Sequence, residues 1–125
     1  MLFTEHSHSI FEYGYRDASN YKAYGELLLS GGFNQKQQLI IEKHCESGQF
    51  FVAEQLNIPA LYKQLWAYSN GPNEDDHAWH ESLGLRQASI EEQRALKCWG
   101  SVDELVNRFK SVDAWDVTLS PCCWL

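Results

Sequence analysis

Apolar side chains recur at every second position from Ile10 to Tyr15, where Phe11, Tyr13 and Tyr15 alternate with Glu12 and Gly14. A period of two sends successive side chains to opposite faces, so the stretch predicts a strand with one buried, aromatic face. The polar run Arg16-Asp17-Ala18-Ser19-Asn20 is turn-forming. Tyr21 to Leu29 resumes the extended pattern, with Gly25 placed for a bulge, and Ser30-Gly31-Gly32 closes it. The two strands are expected to pair as a hairpin. Then the period changes. Asn34 with Gln37 three residues on has the form of a capping box, and Leu39, Ile40 and Lys43 carry a helix over 34–47 to Ser47-Gly48. Phe50 to Ala53 is a continuous apolar run, read as a short strand buried on both faces, and Ile58-Pro59 breaks it.

Residues 60–68 fit two patterns. Leu61, Leu65 and Tyr68 have helical spacing, whereas Leu61, Lys63 and Leu65 alternate as in a strand. Ser69-Asn70-Gly71-Pro72-Asn73 is the strongest turn signal in the chain. Beyond it His77, Trp79, Glu81, Leu83 and Leu85 alternate, predicting a strand over 75–85. Ser89 opens a helix over 90–99, and Ser101-Val102-Asp103-Glu104 is a capping box before a helix over 102–110, with Gly100 between them. Trp115 to Leu125 reads as an edge strand, since Pro121 cannot donate to a central ladder. Strands first and helices last point to an α+β fold. The expected architecture is a single domain over 1–125, with an antiparallel sheet of about four or five strands packed against helices on one face.

Composition narrows the function classes. The chain has 125 residues, 44% of them hydrophobic, which is enough for one core. Seventeen acidic side chains against ten basic ones leave a net charge of −7, so neither nucleic acid nor an anionic membrane is an expected partner. No apolar run approaches the ~18 residues of a membrane span, and the N-terminus lacks a basic region followed by an apolar stretch. Cys45, Cys98, Cys122 and Cys123 include no C-x-x-C pair. A soluble protein of the reducing cytoplasm, without a bound metal or cofactor, is expected. Phosphate-cradling glycine motifs and the G-x-S-x-G elbow are absent. Five Trp, six Tyr and six Phe are a heavy aromatic load for one small sheet, and Trp115 and Trp124 on the terminal segment are expected to lack a core to enter. Self-association, as a twofold homodimer, would remove such surface from water.

Two clusters could carry chemistry. Asp75, Asp76, His77, Trp79, His80 and Glu81 bring together carboxylates and imidazoles, the groups that move protons or bind metals near neutral pH. On a strand, His77 and Glu81 share a face with Trp79 while Asp76 and His80 point the other way; on a helix, His77 with Glu81 or Asp76 with His80 would be i,i+4 pairs. The bland alternative is a set of polar side chains that satisfy one another around a Trp79 anchor. Arg16, Asp17, Asn20 and Lys22 form the second cluster, able to clamp an anion or simply to hold a turn. Arg16 is expected to pair with a carboxylate of the 74–81 segment. His44-Cys45 is poorly placed as a base–nucleophile pair, because neighbours on a helix diverge by about 100 degrees.

Three segments taken together carry a resemblance: Tyr15-Arg16-Asp17-Ala18-Ser19-Asn20-Tyr21-Lys22, then Phe51-Val52-Ala53-Glu54-Gln55-Leu56-Asn57-Ile58-Pro59, then Asp75-Asp76-His77-Ala78-Trp79-His80-Glu81. In that order they resemble a family of small uncharacterised bacterial proteins met in mobile integron gene cassettes and in bacterial chromosomes. The resemblance covers residues 10 to 82; Ser82 departs from it, an aromatic residue commonly following the Glu. It implies a bacterial cytoplasmic protein kept for conditional advantage, and it brings Gln55 into the candidate set beside the two clusters. The function expected is a non-catalytic module, binding a small molecule or a protein, as a homo-oligomer. The alternative is an enzyme using the 75–81 cluster, with Arg16 and Lys22 holding an anionic substrate.

Overall fold

The computed structural model describes residues 8–69 and 76–124, with side chains for all of these except 67–69 and 123–124. Five strands form one sheet: β1 (His8–Arg16), β2 (Lys22–Ser30), β3 (Phe50–Val52), β4 (Trp79–Gln87) and β5 (Cys98–Ser101), in the order β3-β4-β1-β2-β5. The helices described are α1 (Gln35–His44), α2 (Tyr62–Ser69), α3 (Ile90–Ala95) and α4 (Val102–Lys110), with 3-10 turns at Ala53–Leu56, Val117–Leu119 and Pro121–Trp124. The fold is α+β, as the chain's patterning predicts. The sheet, however, is mixed: its first four strands pair antiparallel, while β5 lies parallel to β2.

The β1–β2 hairpin runs in register from His8 opposite Ser30 to Arg16 opposite Lys22. Asp17 holds its turn. The Asp17 carboxylate accepts from the Tyr21 N–H at 2.9 Å, its own N–H donates to the Tyr21 carbonyl, and its carbonyl accepts from the Asn20 N–H. Asn20 sits at φ 69°, a left-handed conformation that Asn tolerates better than most residues. The expected bulge at Gly25 is not there. It falls in β4, where the pairings Glu12–Gly84 and Tyr13–Ser82 leave Leu83 as an extra residue and Gly84 at φ +109°. Gly25 lies opposite Tyr13 instead. A Cβ there would come within 2.8 Å of both the Tyr13 ring and Leu61, so the glycine makes room for the ring.

Alternation sorts the sheet into two faces. Phe11, Tyr13 and Tyr15 of β1, Leu27 and Leu29 of β2, and Phe51 of β3 face a core closed by Ile41, Leu56, Leu61, Tyr62, Leu105 and Phe109. Phe11, Phe51 and Phe109 meet at centroid distances of 5.7–6.1 Å with tilted or edge-on geometry. On the opposite face, Ile10 and Leu28 pack with Ala88 and Leu96, which flank α3. Those two residues lie outside α3, whose own side chains are not buried.

Helix starts follow their sequence signals more closely than helix ends. Asn34 and Gln37 form the full capping box of α1, and Ser89 forms one with Glu92 at α3. At α4 only half of the expected box forms: Ser101 accepts from the Glu104 N–H, while the Glu104 carboxylate pairs with Arg108. The helix expected over 90–99 stops at Ala95, because Leu96 turns onto the outer face and Cys98–Ser101 adds to the open edge of β2. Cys98 is thus on a strand, not in a helix. The terminal segment forms 3-10 turns rather than an edge strand, Asp116 capping Thr118. Trp115 does find a core: its ring stands edge-on to Phe109 at 6.2 Å.

Candidate functional site

The 76–81 segment enters β4 from the turn side and threads between β1 and α2. Asp76 receives two hydrogen bonds, from the Tyr15 hydroxyl at 2.7 Å on Oδ1 and from the Trp66 indole N–H at 2.9 Å on Oδ2. The Tyr15 oxygen also accepts from the His77 N–H at 3.1 Å. Burial and the Asp76 carboxylate push the Tyr15 phenol well above its ordinary value, so it stays a donor. The His77 Nδ1 accepts from the Trp79 N–H at 3.0 Å, which leaves Nε2 as the protonated nitrogen, donating to the Arg16 carbonyl at 2.6 Å. Both ring nitrogens are engaged in holding strand ends together.

His80 is the centre of the network and is fully buried. Its Nε2 accepts from the Leu61 N–H at 2.9 Å, and its Nδ1 donates to the Ala78 carbonyl at 3.3 Å. The rings of Tyr13, Tyr15, Phe51 and Tyr62 surround it at 5.3–6.2 Å. Burial holds its pKa down at about 4, the nearby His77 adding to the depression against the Ala78 hydrogen bond, so the ring is neutral at ordinary pH. The Tyr13 hydroxyl donates to the Pro59 carbonyl at 2.7 Å, so His80 and Tyr13 together pin the 58–61 corner. Neighbouring this network, the Tyr62 hydroxyl donates to Glu54 Oε2. The Cys122 thiol is pushed up to about 11 by burial, against the Ser120 hydrogen bond, and is not a thiolate at neutral pH.

The alternation expected for a strand holds at this site: His80 faces the core, while Trp79 and Glu81 lie on the other side, opposite Val52 and Phe50. Asp75 lies outside the described residues. The remaining candidates are dispersed. Asp17 and Asn20 build the hairpin turn, and Arg16 and Lys22 face each other, exposed, at the end of the outer face. Of the carboxylates expected to pair with Arg16, Glu74 and Asp75 lie outside the described residues, and no ion pair forms with Asp76 or Glu81; the salt bridges among the described residues belong to Arg86 and Arg108. Among the described residues, it is the backbone carbonyl of Arg16 that meets the segment, at His77. Gln55 clamps the terminal segment, donating to the Ala114 carbonyl at 3.0 Å and accepting from the Asp116 N–H at 2.8 Å.

What surrounds Trp79 was not foreseen. An open depression of about 510 Å³ is lined by Glu46, Phe50, His77 and Trp79. It adjoins a second, of about 600 Å³, that shares Trp79 and Glu46 and continues to Trp115, Lys43, His44 and Asp113. Glu46 stands in no motif, and Phe50 reads in the sequence only as the start of a strand. They reach the site because β3 pairs with β4 and a tight turn bridges Glu46 to Phe50. Among the described residues no group of three or more His, Cys, Asp or Glu side chains converges as metal ligands, and no helix is long and apolar enough to cross a membrane.

Compared with known proteins, the chain matches no family model, and no curated protein or solved structure shows significant similarity to it.

Proposed function

We propose that the chain is a non-catalytic binding module that takes a small organic cation at the Trp79 depression. The observation that carries this reading is that Asp76, His77 and His80 are engaged with other parts of the chain, which leaves Glu81 as the segment's described carboxylate outside that network. Both carboxylate oxygens of Asp76 and all four ring nitrogens of His77 and His80 are spent on internal hydrogen bonds. General acid–base work needs a proton-bearing group with a valence free toward substrate. Arg16 and Lys22, the cations of the enzyme alternative, sit on the outer face of the hairpin end, apart from the core face that holds His80. The depression offers different chemistry: two aromatic rings, Phe50 and Trp79, with the Glu46 carboxylate at their rim. Aromatic faces attract cations through the ring quadrupole, a carboxylate adds charge, and a net charge of −7 raises the local cation concentration. A ligand-capturing role fits a gene kept for conditional advantage.

Equilibrium dialysis against N-methylquinolinium, with neutral quinoline as the isosteric control, tests the reading. The cation should bind more tightly than quinoline, Trp79→Leu should abolish binding, and Glu46→Gln should weaken it several-fold. Equal retention of both compounds, or binding that survives Trp79→Leu, would refute it.

A further inference from the structure

The outer face of the sheet carries a charge pattern that is complementary to itself. Strand pairing places like charges directly opposite one another on two rungs of the β1–β2 ladder: Glu12 with Glu26, and Arg16 with Lys22. Between them lies the rung Gly14–Tyr24. Like charges directly opposite are unfavourable within a protomer, so each rung calls for counter-charge from elsewhere. Among the described residues, the acidic rung has one source. Arg86 contacts Glu12 at 3.2 Å and Glu26 at 2.6 Å, but it also pairs with Glu92 at 2.6 Å, leaving three carboxylates around one guanidinium. Burial first, and then the Glu92 carboxylate, hold the Glu26 carboxyl above its usual range. The basic rung forms no ion pair among the described residues. Its two cations are exposed.

The middle rung is open, and beside Tyr24 and Gly14 it carries Glu81 of β4, which pairs with Gly14 on the same face. Tyr24 is 64% exposed and Leu83, the bulged residue of β4, is 48% exposed; the two flank Gly14, which is buried beneath them. We propose that two copies of this chain pair face to face through this surface, about a twofold axis running across the strands over the Gly14–Tyr24 rung. That rotation keeps β1 over its counterpart and reverses strand direction. Arg16 and Lys22 of one protomer then lie over Glu12 and Glu26 of the other, twice by symmetry, while Tyr24 and Leu83 close the centre. A twofold axis along the strands would set both doubly charged rungs over their own kind, whereas the axis across the strands brings only Glu81, which lies on it, over its own copy and leaves that carboxylate diagonal to the partner's Arg16. Shape agrees with the choice. The segment around α3 rises over the Ile10–Leu28 rung, one step past the acidic rung, and the same rotation brings it to the partner's hairpin end, where the sheet face stops. A patch a few rungs long lies at the small end of stable interfaces, so association in the micromolar range that weakens with salt is expected.

Sedimentation equilibrium over a concentration and salt series, with no organic cation added, tests the proposal. The wild-type chain should dimerise at low salt and dissociate as salt rises. Arg16→Glu/Lys22→Glu should be monomeric alone, as should Glu12→Lys/Glu26→Lys, and a mixture of the two should recover a heterodimer. Leu83→Lys, at an exposed position, provides a monomeric variant should the second pair fail to fold. A wild-type chain that stays monomeric throughout overturns the proposal. So does dimerisation undiminished in Leu83→Lys, or a mixture that stays monomeric while both variants keep the wild-type circular dichroism spectrum.

Discussion

Between neutrality and pH 4, His80 separates the folded protein from its unfolded chain. Unfolded, its imidazole takes up a proton near the ordinary value of 6.5; folded, it does so only near 4. Between these values the unfolded state holds the extra proton, so the free energy of unfolding rises with pH and falls on acidification. The contribution is complete above about pH 6.5 and is lost as the pH falls through 4. At about 1.4 kcal/mol for each pH unit in that window, the loss amounts to about 3 kcal/mol, a large share of a small domain's stability. Because His80 is fully buried, solvent screening does not reduce the figure much. The comparison protein is His80→Phe, which keeps a ring among Tyr13, Tyr15, Phe51 and Tyr62 but cannot titrate. At neutral pH it should be less stable by about 1–3 kcal/mol, since the Leu61 N–H loses its acceptor. Urea unfolding of both proteins across this pH range gives the readout. Carboxylate effects common to the two cancel, and the difference should move by about 3 kcal/mol in favour of His80→Phe between pH 6.5 and 4, closing or reversing the gap. Parallel stability curves would refute a buried neutral histidine.

Two further substitutions probe the frame around that network. Gly25→Ala puts a methyl within 2.8 Å of the Tyr13 ring and Leu61, and should destabilise by about 1–3 kcal/mol in denaturant melts; a neutral result would mean the ring moves freely. Gln55→Ala removes both clamps on the 114–116 segment, and should cost about 1–2 kcal/mol and speed proteolytic cleavage there, whereas an unchanged digestion pattern would show the clamp to be idle.

Local patterning was enough to define most of the elements. Aromatic alternation at 10–15 is visible because a half-buried strand writes its period directly into the chain, and the Asn34–Gln37 box is visible because a cap is a contact between neighbours. The same locality explains why Asp17 and Asn20 could be read as turn residues. The site was legible as a composition, Asp76 to Glu81, and even as an alternation of faces, but its partners were not. Tyr15, Trp66 and Leu61 come from other elements, and they occupy the Asp76 carboxylate and the His80 Nε2.

Only the tertiary structure decided the rest, wherever an outcome depended on a distant backbone. Residues 98–101 have helical neighbours on both sides, yet they pair with β2 because an open strand edge offers hydrogen bonds that a short helix does not. The tail alternates like a strand but is held instead by Gln55 and Asp116, whose positions depend on the 53–56 turn. The bulge moved from Gly25 to Leu83 and Gly84, because register is a property of two strands at once. Glu12 against Glu26 and Arg16 against Lys22 are ordinary surface charges in the chain. They become two opposed rungs only when the hairpin closes, because pairing converts sequence distance into spatial adjacency.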